Sequence, residues 1–301
     1  MQSITDKILA LKKERNAVIL AHNYQNGEIQ DLADFVGDSF ALSRRAKDVA
    51  APVIVFCGVH FMAESAKLLS PQKTVLLPVL EAGCPMADMV TAEDIKALRI
   101  KHPDAAFVCY VNSSADVKAE CDICCTSANA VRVVKSLPQK KIVFVPDENL
   151  GRYVAKQLPG KEVLLFPGFC PTHHHILLQE ILETKKANPG VPLFAHPECK
   201  DEVLAHADFI GSTSAIIQYA KETDYPAYLI ATEEGILHQL KKDNPQKKFY
   251  PAISGILCPN MKKTTLQDVY LSLEKMQFEI RLDEKTIEKA KRTLERMLEV
   301  G

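Results

Sequence analysis

Three cysteines, Cys84, Cys170 and Cys258, stand 86 and 88 residues apart, and proline follows each of them. Thiols that recur at near-constant spacing, at the same position of three similar units, come together around one axis. As thiolates they are ligands for soft metals and iron–sulfur clusters, and a Cys-Pro step fixes the ligand loop while removing a backbone donor. Three thiolates on a cubane cluster leave one iron without a protein ligand. An open coordination position acts as a Lewis acid on a hydroxyl or carbonyl, chemistry that suits dehydration better than electron transfer.

The chain has nine cysteines, and Cys121-Asp-Ile-Cys124-Cys125 imitates a Cys-x-x-Cys metal or redox pair. Aligned on the three repeats, however, Cys121 falls opposite Ala33 and Ala207, Cys124 opposite Val36 and Ile210, and Cys125 opposite Gly37 and Gly211. Those are core and turn slots. These three, with Cys57, Cys109 and Cys199, are therefore expected to be structural thiols.

Polar residues cluster where apolar runs end: His22-Asn23-Tyr24, Tyr110-Val111-Asn112 and His196-Pro197-Glu198. Histidine, tyrosine and glutamate at such places can bind carboxylates or move protons during enolisation. A second set of landmarks is a hydroxyl, at Ser39, Ser127 and Thr213, preceded in each copy by an Asp-containing segment (Asp34, Asp122, Asp208). Each hydroxyl is expected to cap a helix, and a helix start favours phosphate or carboxylate. His173 is expected to line the site beside Cys170. His174 and His175 are read as a solvated helix start, and Asp147-Glu148 and Glu233-Glu234 as ordinary helix-start acids.

The elements that must position these groups repeat as well. Short β-branched runs (Val53 to Phe56, Ile142 to Val145, Ala227 to Ile230) alternate with stretches of helical period over Ser39 to Val49, Ser127 to Ser136 and Thr213 to Glu222. That alternation is the pattern of an α/β fold with parallel sheets, three pseudo-equivalent three-layer repeats around a central site with pseudo-threefold symmetry. Ligands bind at the carboxyl edge of such sheets. The expected boundaries are residues 1–84, 85–170 and 171–258, with a helical extension over 259–301. An amphipathic helix over Ile4 to Arg15 opens the chain. Helices over about Thr265 to Met276 and, capped by Asp283, Glu284 to Val300 close it, the ends covering the repeats.

Composition narrows the class of function. A net charge of −1 gives no footprint for nucleic acid or an anionic membrane surface. The charged amino terminus lacks the apolar stretch of a signal peptide, and the longest apolar run is broken by Pro52 and Gly58. A cytoplasmic protein is expected, whose thiols are free or metal-bound rather than paired.

Several segments together resemble the quinolinate synthase family: Ala21-His-Asn-Tyr-Gln25, Phe61-Met-Ala-Glu64, Cys84-Pro-Met-Ala87, Tyr110-Val-Asn-Ser113, Cys170-Pro-Thr-His173, His196-Pro-Glu-Cys199 and Cys258-Pro-Asn-Met-Lys262. The resemblance implies a transferase of NAD (pyridine nucleotide) biosynthesis that condenses iminoaspartate with dihydroxyacetone phosphate. It implies a 4Fe-4S cluster on Cys84, Cys170 and Cys258 with one open iron. It further implies that His22, Ser39, Tyr110, Val111, Asn112, Ser127, His196, Pro197, Glu198 and Thr213 contact substrate, and that Tyr24, His196 and Glu198 are the catalytic candidates. Functional coupling to an L-aspartate oxidase or dehydrogenase, the source of iminoaspartate, is also implied. The Cys121 group has no place in that ligand pattern. Two other readings of the residues stand beside it: an iron–sulfur hydro-lyase of another small hydroxy acid, and a non-catalytic zinc or cluster-bearing sensor.

Overall fold

Twelve short apolar runs form strands in the computed structural model, which describes residues 3–301. They are β1 Ala17–His22, β2 Phe35–Gly37, β3 Val53–Cys57, β4 Thr74–Leu76, β5 Ala106–Tyr110, β6 Ile123–Cys125, β7 Lys141–Val145, β8 Glu162–Leu165, β9 Leu193–Ala195, β10 Phe209–Ile210, β11 Ala227–Ala231 and β12 Lys248–Pro251. They make three four-stranded sheets of one topology, β2-β1-β3-β4, β6-β5-β7-β8 and β10-β9-β11-β12. Every pairing within them is parallel. Helices cover the sheets, so β3 and β5 are buried along their whole length and read as continuous apolar runs rather than alternating ones. The α/β class with parallel sheets expected from the repeat is the one observed.

The first strand of each outer edge, β2, β6 and β10, replaces what the sequence reads as a turn. Two or three residues are too few for periodicity to register. What makes these edges possible is the aspartate common to all three copies. Asp34, Asp122 and Asp208 each accept an amide of the neighbouring strand, from Ile19, Phe107 and Leu193, at 2.8, 2.7 and 2.7 Å. Each also donates its own N–H back to that residue's carbonyl, at 2.9, 2.9 and 2.8 Å. The side chain thus completes pairing where the edge strand is too short to supply it.

The expected hydroxyl caps are displaced by one position. Asp38, not Ser39, caps the helix Ser39–Asp48 by accepting from Ala41 N–H at 3.0 Å, and Ser212, not Thr213, caps Thr213–Glu222 by accepting from Ala215 N–H at 3.3 Å. In the second copy the helix is shorter than expected, Ala130–Ser136, and Ser127 lies in the turn before it. Glycine occupies the slot before the cap in copies one and three, where a Cβ on Gly211 would stand 2.9 Å from Ala215 Cβ and one on Gly37 3.1 Å from Ala41 Cβ. Cys125 fills that slot in copy two, where the helix begins only at Ala130. Three hydroxyls are consequently free of capping duty.

The ends of the chain cover the repeats. The helix Ile4–Glu14 packs on Leu266–Lys275, sharing a cluster of Ile8, Val269 and Leu273 with Ile19 and Val55 of the first sheet. Asp283 caps the last helix, Glu284–Val300, by accepting from Thr286 N–H at 2.9 Å. Its buried stripe, Ala290, Thr293, Leu294 and Met297, lies on β6 and the helix Ala115–Glu120, with Thr293 Oγ1 3.2 Å from Cys124 Sγ. Burying Leu294 and Met297 contributes about 1.5–3 kcal/mol each. Among the described residues, no helix is long and apolar enough to cross a membrane.

Candidate active site

The carboxyl ends of the three sheets deliver their loops to one cavity. Strand β1 ends at His22, β5 at Tyr110 and β9 just before His196, so each polar segment leaves its sheet pointing beyond the edge where helices begin. His22 and Tyr24, Tyr110 and Asn112, His196 and Glu198, Ser39, Ser127 and Thr213 all line the cavity, and so do Cys84, Cys170 and Cys258. Val111 and Pro197 are buried beside them without lining it, Val111 facing a small void behind Ser39 and Phe61.

A hydrogen-bonded chain crosses the cavity wall between repeats. Thr213 Oγ1 donates to the Tyr24 hydroxyl at 3.1 Å, and that hydroxyl lies 2.6 Å from Thr232 Oγ1. Thr232 Oγ1 is 2.8 Å from His173 Nε2, and His173 Nδ1 is 2.7 Å from Glu198 Oε2. The chain runs in one direction when Tyr24 donates to Thr232, Thr232 to Nε2, and Nδ1–H to the carboxylate. His196 flanks it, stacked on His173 at 4.7 Å between centroids, with Nε2 3.1 Å from Ser127 Oγ. Sequence reasoning missed Thr232, and it left His173 as a lining residue. Thr232 follows the end of β11 directly, and the same alignment of strand ends could have found it.

Burial sets the charge states. His22 and His196 are both pushed down to about 3, chiefly by burial, so both are neutral near pH 7. Burial opposes the charge on Glu198, yet the neighbouring imidazoles hold its carboxyl down at about 2. Tyr24 and Tyr110 are pushed well above 10 by burial and then by the Glu198 charge, so both keep their protons. Two buried acceptor atoms on the cavity residues have no protein partner, Glu198 Oε1 and Asn112 Oδ1. Unpaired acceptors are costly in a sealed site and are suited to a ligand that brings donors.

The three cysteines are half-buried, the other six buried, and none is paired. Burial raises the thiols of Cys84 (to about 12), Cys170 and Cys258, and Cys258 further opposes the ionisation of Cys84, as Cys84 does that of Cys170. Three thiolates here call for a cationic group between them. The three sulfurs do not all lie within 4.8 Å of one another. Sulfurs on a single tetrahedral zinc would all sit about 3.8 Å apart for Zn–S bonds of about 2.3 Å, a closer approach than these three make together. Among the described residues, one mixed trio does fall inside 4.8 Å, Cys170 Sγ with His173 and Glu198, placing the hydrogen-bonded chain against one of the three cysteines.

Of the acids read as ordinary helix-start residues, Asp147 does cap its helix, Glu148–Gln157, but it and Glu233 also reach the cysteine loops. Asp147 and Glu233 are fully buried, and each accepts the backbone N–H of a site cysteine. A helix-start acid and a buried wall acid have the same sequence signature, because burial is decided by the neighbouring repeat. The residues expected to be structural behave as such: Cys57, Cys109, Cys121, Cys124, Cys125 and Cys199 are in the core, and Cys109 and Cys124 are cross-strand partners in the second sheet. Of the remaining histidines, His174 is partly exposed and reaches Asn149 at 3.2 Å rather than the cavity.

Residues 6–299 match the family model described as NadA, quinolinate synthetase A protein. Among curated relatives, the quinolinate synthase of Alkaliphilus metalliredigens is 54% identical over 298 residues, covering 99% of this chain and 98% of that one. Those of Caldicellulosiruptor saccharolyticus and Clostridium perfringens are each 52% identical, over 301 and 298 residues, with at least 99% of both chains covered. The match runs through all three sheets and every cavity-lining segment, and the chain belongs to the quinolinate synthase family.

Proposed function

We propose that the protein condenses iminoaspartate with dihydroxyacetone phosphate to quinolinate, phosphate and two waters, on a 4Fe-4S cluster held by Cys84, Cys170 and Cys258. The observation that carries this reading is the convergence, in one cavity, of three repeat-closing cysteine loops with three polar strand ends. The overall reaction is redox-neutral and needs no further co-reactant. When bound, the cluster supplies a Lewis-acidic iron for the departing hydroxyl.

The chain's own residues do the rest. Ser39, Ser127 and Thr213, released from capping, offer hydroxyls beside helix starts to the two carboxylates of iminoaspartate. Neutral His22 and His196 donate to these carboxylates without forming ion pairs that would have to be broken on release. Tyr24, which keeps its proton, serves as the acid, and its proton is replaced from Thr213, whose hydroxyl donates to it. Glu198 is the anionic member of the set, and through His173 it is the base able to take the proton lost on enamine formation. The buried walls exclude bulk water from an imine that water would hydrolyse.

Anaerobically prepared protein, given dihydroxyacetone phosphate and freshly generated iminoaspartate, is expected to form quinolinate. Iron counts should fall to background in Cys84→Ala and Cys258→Ala and stay at the wild-type value in Cys124→Ala. Absence of quinolinate from iron-replete protein that dehydrates another hydroxy acid would favour the hydro-lyase reading instead.

A further inference from the structure

Two buried carboxylates stand behind the cysteine loops at equivalent places. Asp147 lies two residues beyond the end of β7, and Glu233 two beyond the end of β11; both are 0% exposed. Asp147 Oδ2 accepts the Cys170 N–H at 3.0 Å, 23 residues on, and Glu233 Oε1 accepts the Cys258 N–H at 3.3 Å, 25 residues on. Their second oxygens hold their own loops, Oδ1 of Asp147 taking Leu150 N–H at 2.7 Å and Oε2 of Glu233 taking Gly235 N–H at 2.7 Å. Lys262 Nζ sits 2.8 Å from Glu233 Oε1 and donates to the Tyr24 carbonyl at 2.5 Å, tying the third loop to the first repeat. The first repeat has Val59 in the matching slot, two residues beyond β3, whose side chain can accept nothing.

Helix capping explains one oxygen of Asp147, and a local turn contact one oxygen of Glu233, but neither explains the other oxygen. Burying a carboxylate is expensive unless its oxygens are all engaged, and a charge-assisted bond from a backbone amide is among the stronger ones available. We infer that Asp147 and Glu233 are positioning residues that fix the backbones of Cys170 and Cys258 so that their sulfurs are presented ready to bind, with the Cys84 loop held by other means. The inference rests on the reading of these three cysteines as cluster ligands. Outer partners that hold a ligand in place set both how tightly the metal is kept and its electronic properties.

Asp147→Asn separates this role from capping. Asparagine caps as well as aspartate, so its Oδ1 can keep the Leu150 N–H, but its amide then faces the Cys170 N–H donor to donor. Glu233→Gln likewise leaves one carbonyl oxygen for three donors. Glu148→Gln and Glu234→Gln are the neighbouring controls, since neither side chain accepts a cysteine N–H; Glu148 pairs with Arg152 instead. The measurements are the rate of iron release to a chelator, the reduction potential of the bound cluster and the melting of the metal-free protein. Both test variants are expected to release iron about tenfold faster than wild type. Their potentials are expected to rise, because the cysteine N–H loses its acceptor and is free to turn toward sulfur. The controls should stay at wild-type values, and metal-free Asp147→Asn should melt only slightly lower, by the one buried N–H left unpaired. Wild-type release rates and potentials in both test variants would overturn the inference alone. Faster release with an unchanged potential and a lowered melting temperature would reduce the pair to stabilisers of the fold and overturn it too. Failure of wild-type protein to take up iron, or retention by Cys258→Ala, would remove this inference together with the proposed function.

Discussion

At the residue scale, Tyr24 is the hinge of the proposed chemistry. Its ring lies edge-on to His22 at 4.5 Å, and its hydroxyl is held between threonines from the third repeat. Phenylalanine in its place keeps the ring packing and removes the proton. Tyr24→Phe should leave the visible absorption of the cluster unchanged while lowering kcat about a hundredfold or more, the usual range for losing a positioned acid. Unchanged turnover would remove Tyr24 from the mechanism. Tyr24, His196 and Glu198 were legible in the sequence because they sit at matching strand ends. Thr232, Asp147 and Glu233 were not, because a threonine or an acid after a strand says nothing of burial until another repeat closes over it.

Among elements, the decisive feature is the cap preceding each site hydroxyl. Ser212 accepts from Ala215 N–H and also donates to Asp38 Oδ2 at 3.2 Å, so the caps of two site helices from different repeats hold each other. Ser212→Ala should cost about 1–2 kcal/mol in chemical denaturation, from the lost cap and the buried Asp38 oxygen left without its donor. It should also raise KM for iminoaspartate more than it lowers kcat, since the helix start bearing Thr213 is loosened. A stability change under about 0.3 kcal/mol would show that the cross-repeat bond contributes nothing. Helices and central strands were readable from apolar runs and period. The edge strands β2, β6 and β10 were hidden because two or three residues carry no period, and the one-residue shift of the caps because Asp38-Ser39 and Ser212-Thr213 each offer two capping side chains in a row.

For the whole molecule, assembling the site inside the core has a cost that depends on pH. His22, 5% exposed, has its imidazole pushed down to about 3 from an ordinary 6.5, mainly by burial. Above pH 6.5 neither the folded nor the unfolded chain protonates it, and its burial carries no penalty. Between 6.5 and about 3 the unfolded chain binds a proton that the folded one refuses, so stability falls as pH falls. At pH 5 this one residue should subtract about 2 kcal/mol relative to pH 7. Denaturant midpoints of metal-free wild type and His22→Asn at the two pH values check it: the variant should lose that much less on acidification, and equal losses would refute the assignment. The amino-acid sequence alone determined the threefold recurrence, the α/β class with parallel sheets and which three of nine cysteines belong together, because these depend on local pattern and on spacing along the chain. Tertiary structure alone decided that Thr213 meets Tyr24 from 189 residues away, that His196 meets Ser127, and that Asp147 and Glu233 lie in the wall rather than in water. Those outcomes follow from how three units pack, since burial and partnership belong to pairs of surfaces and no single segment carries them.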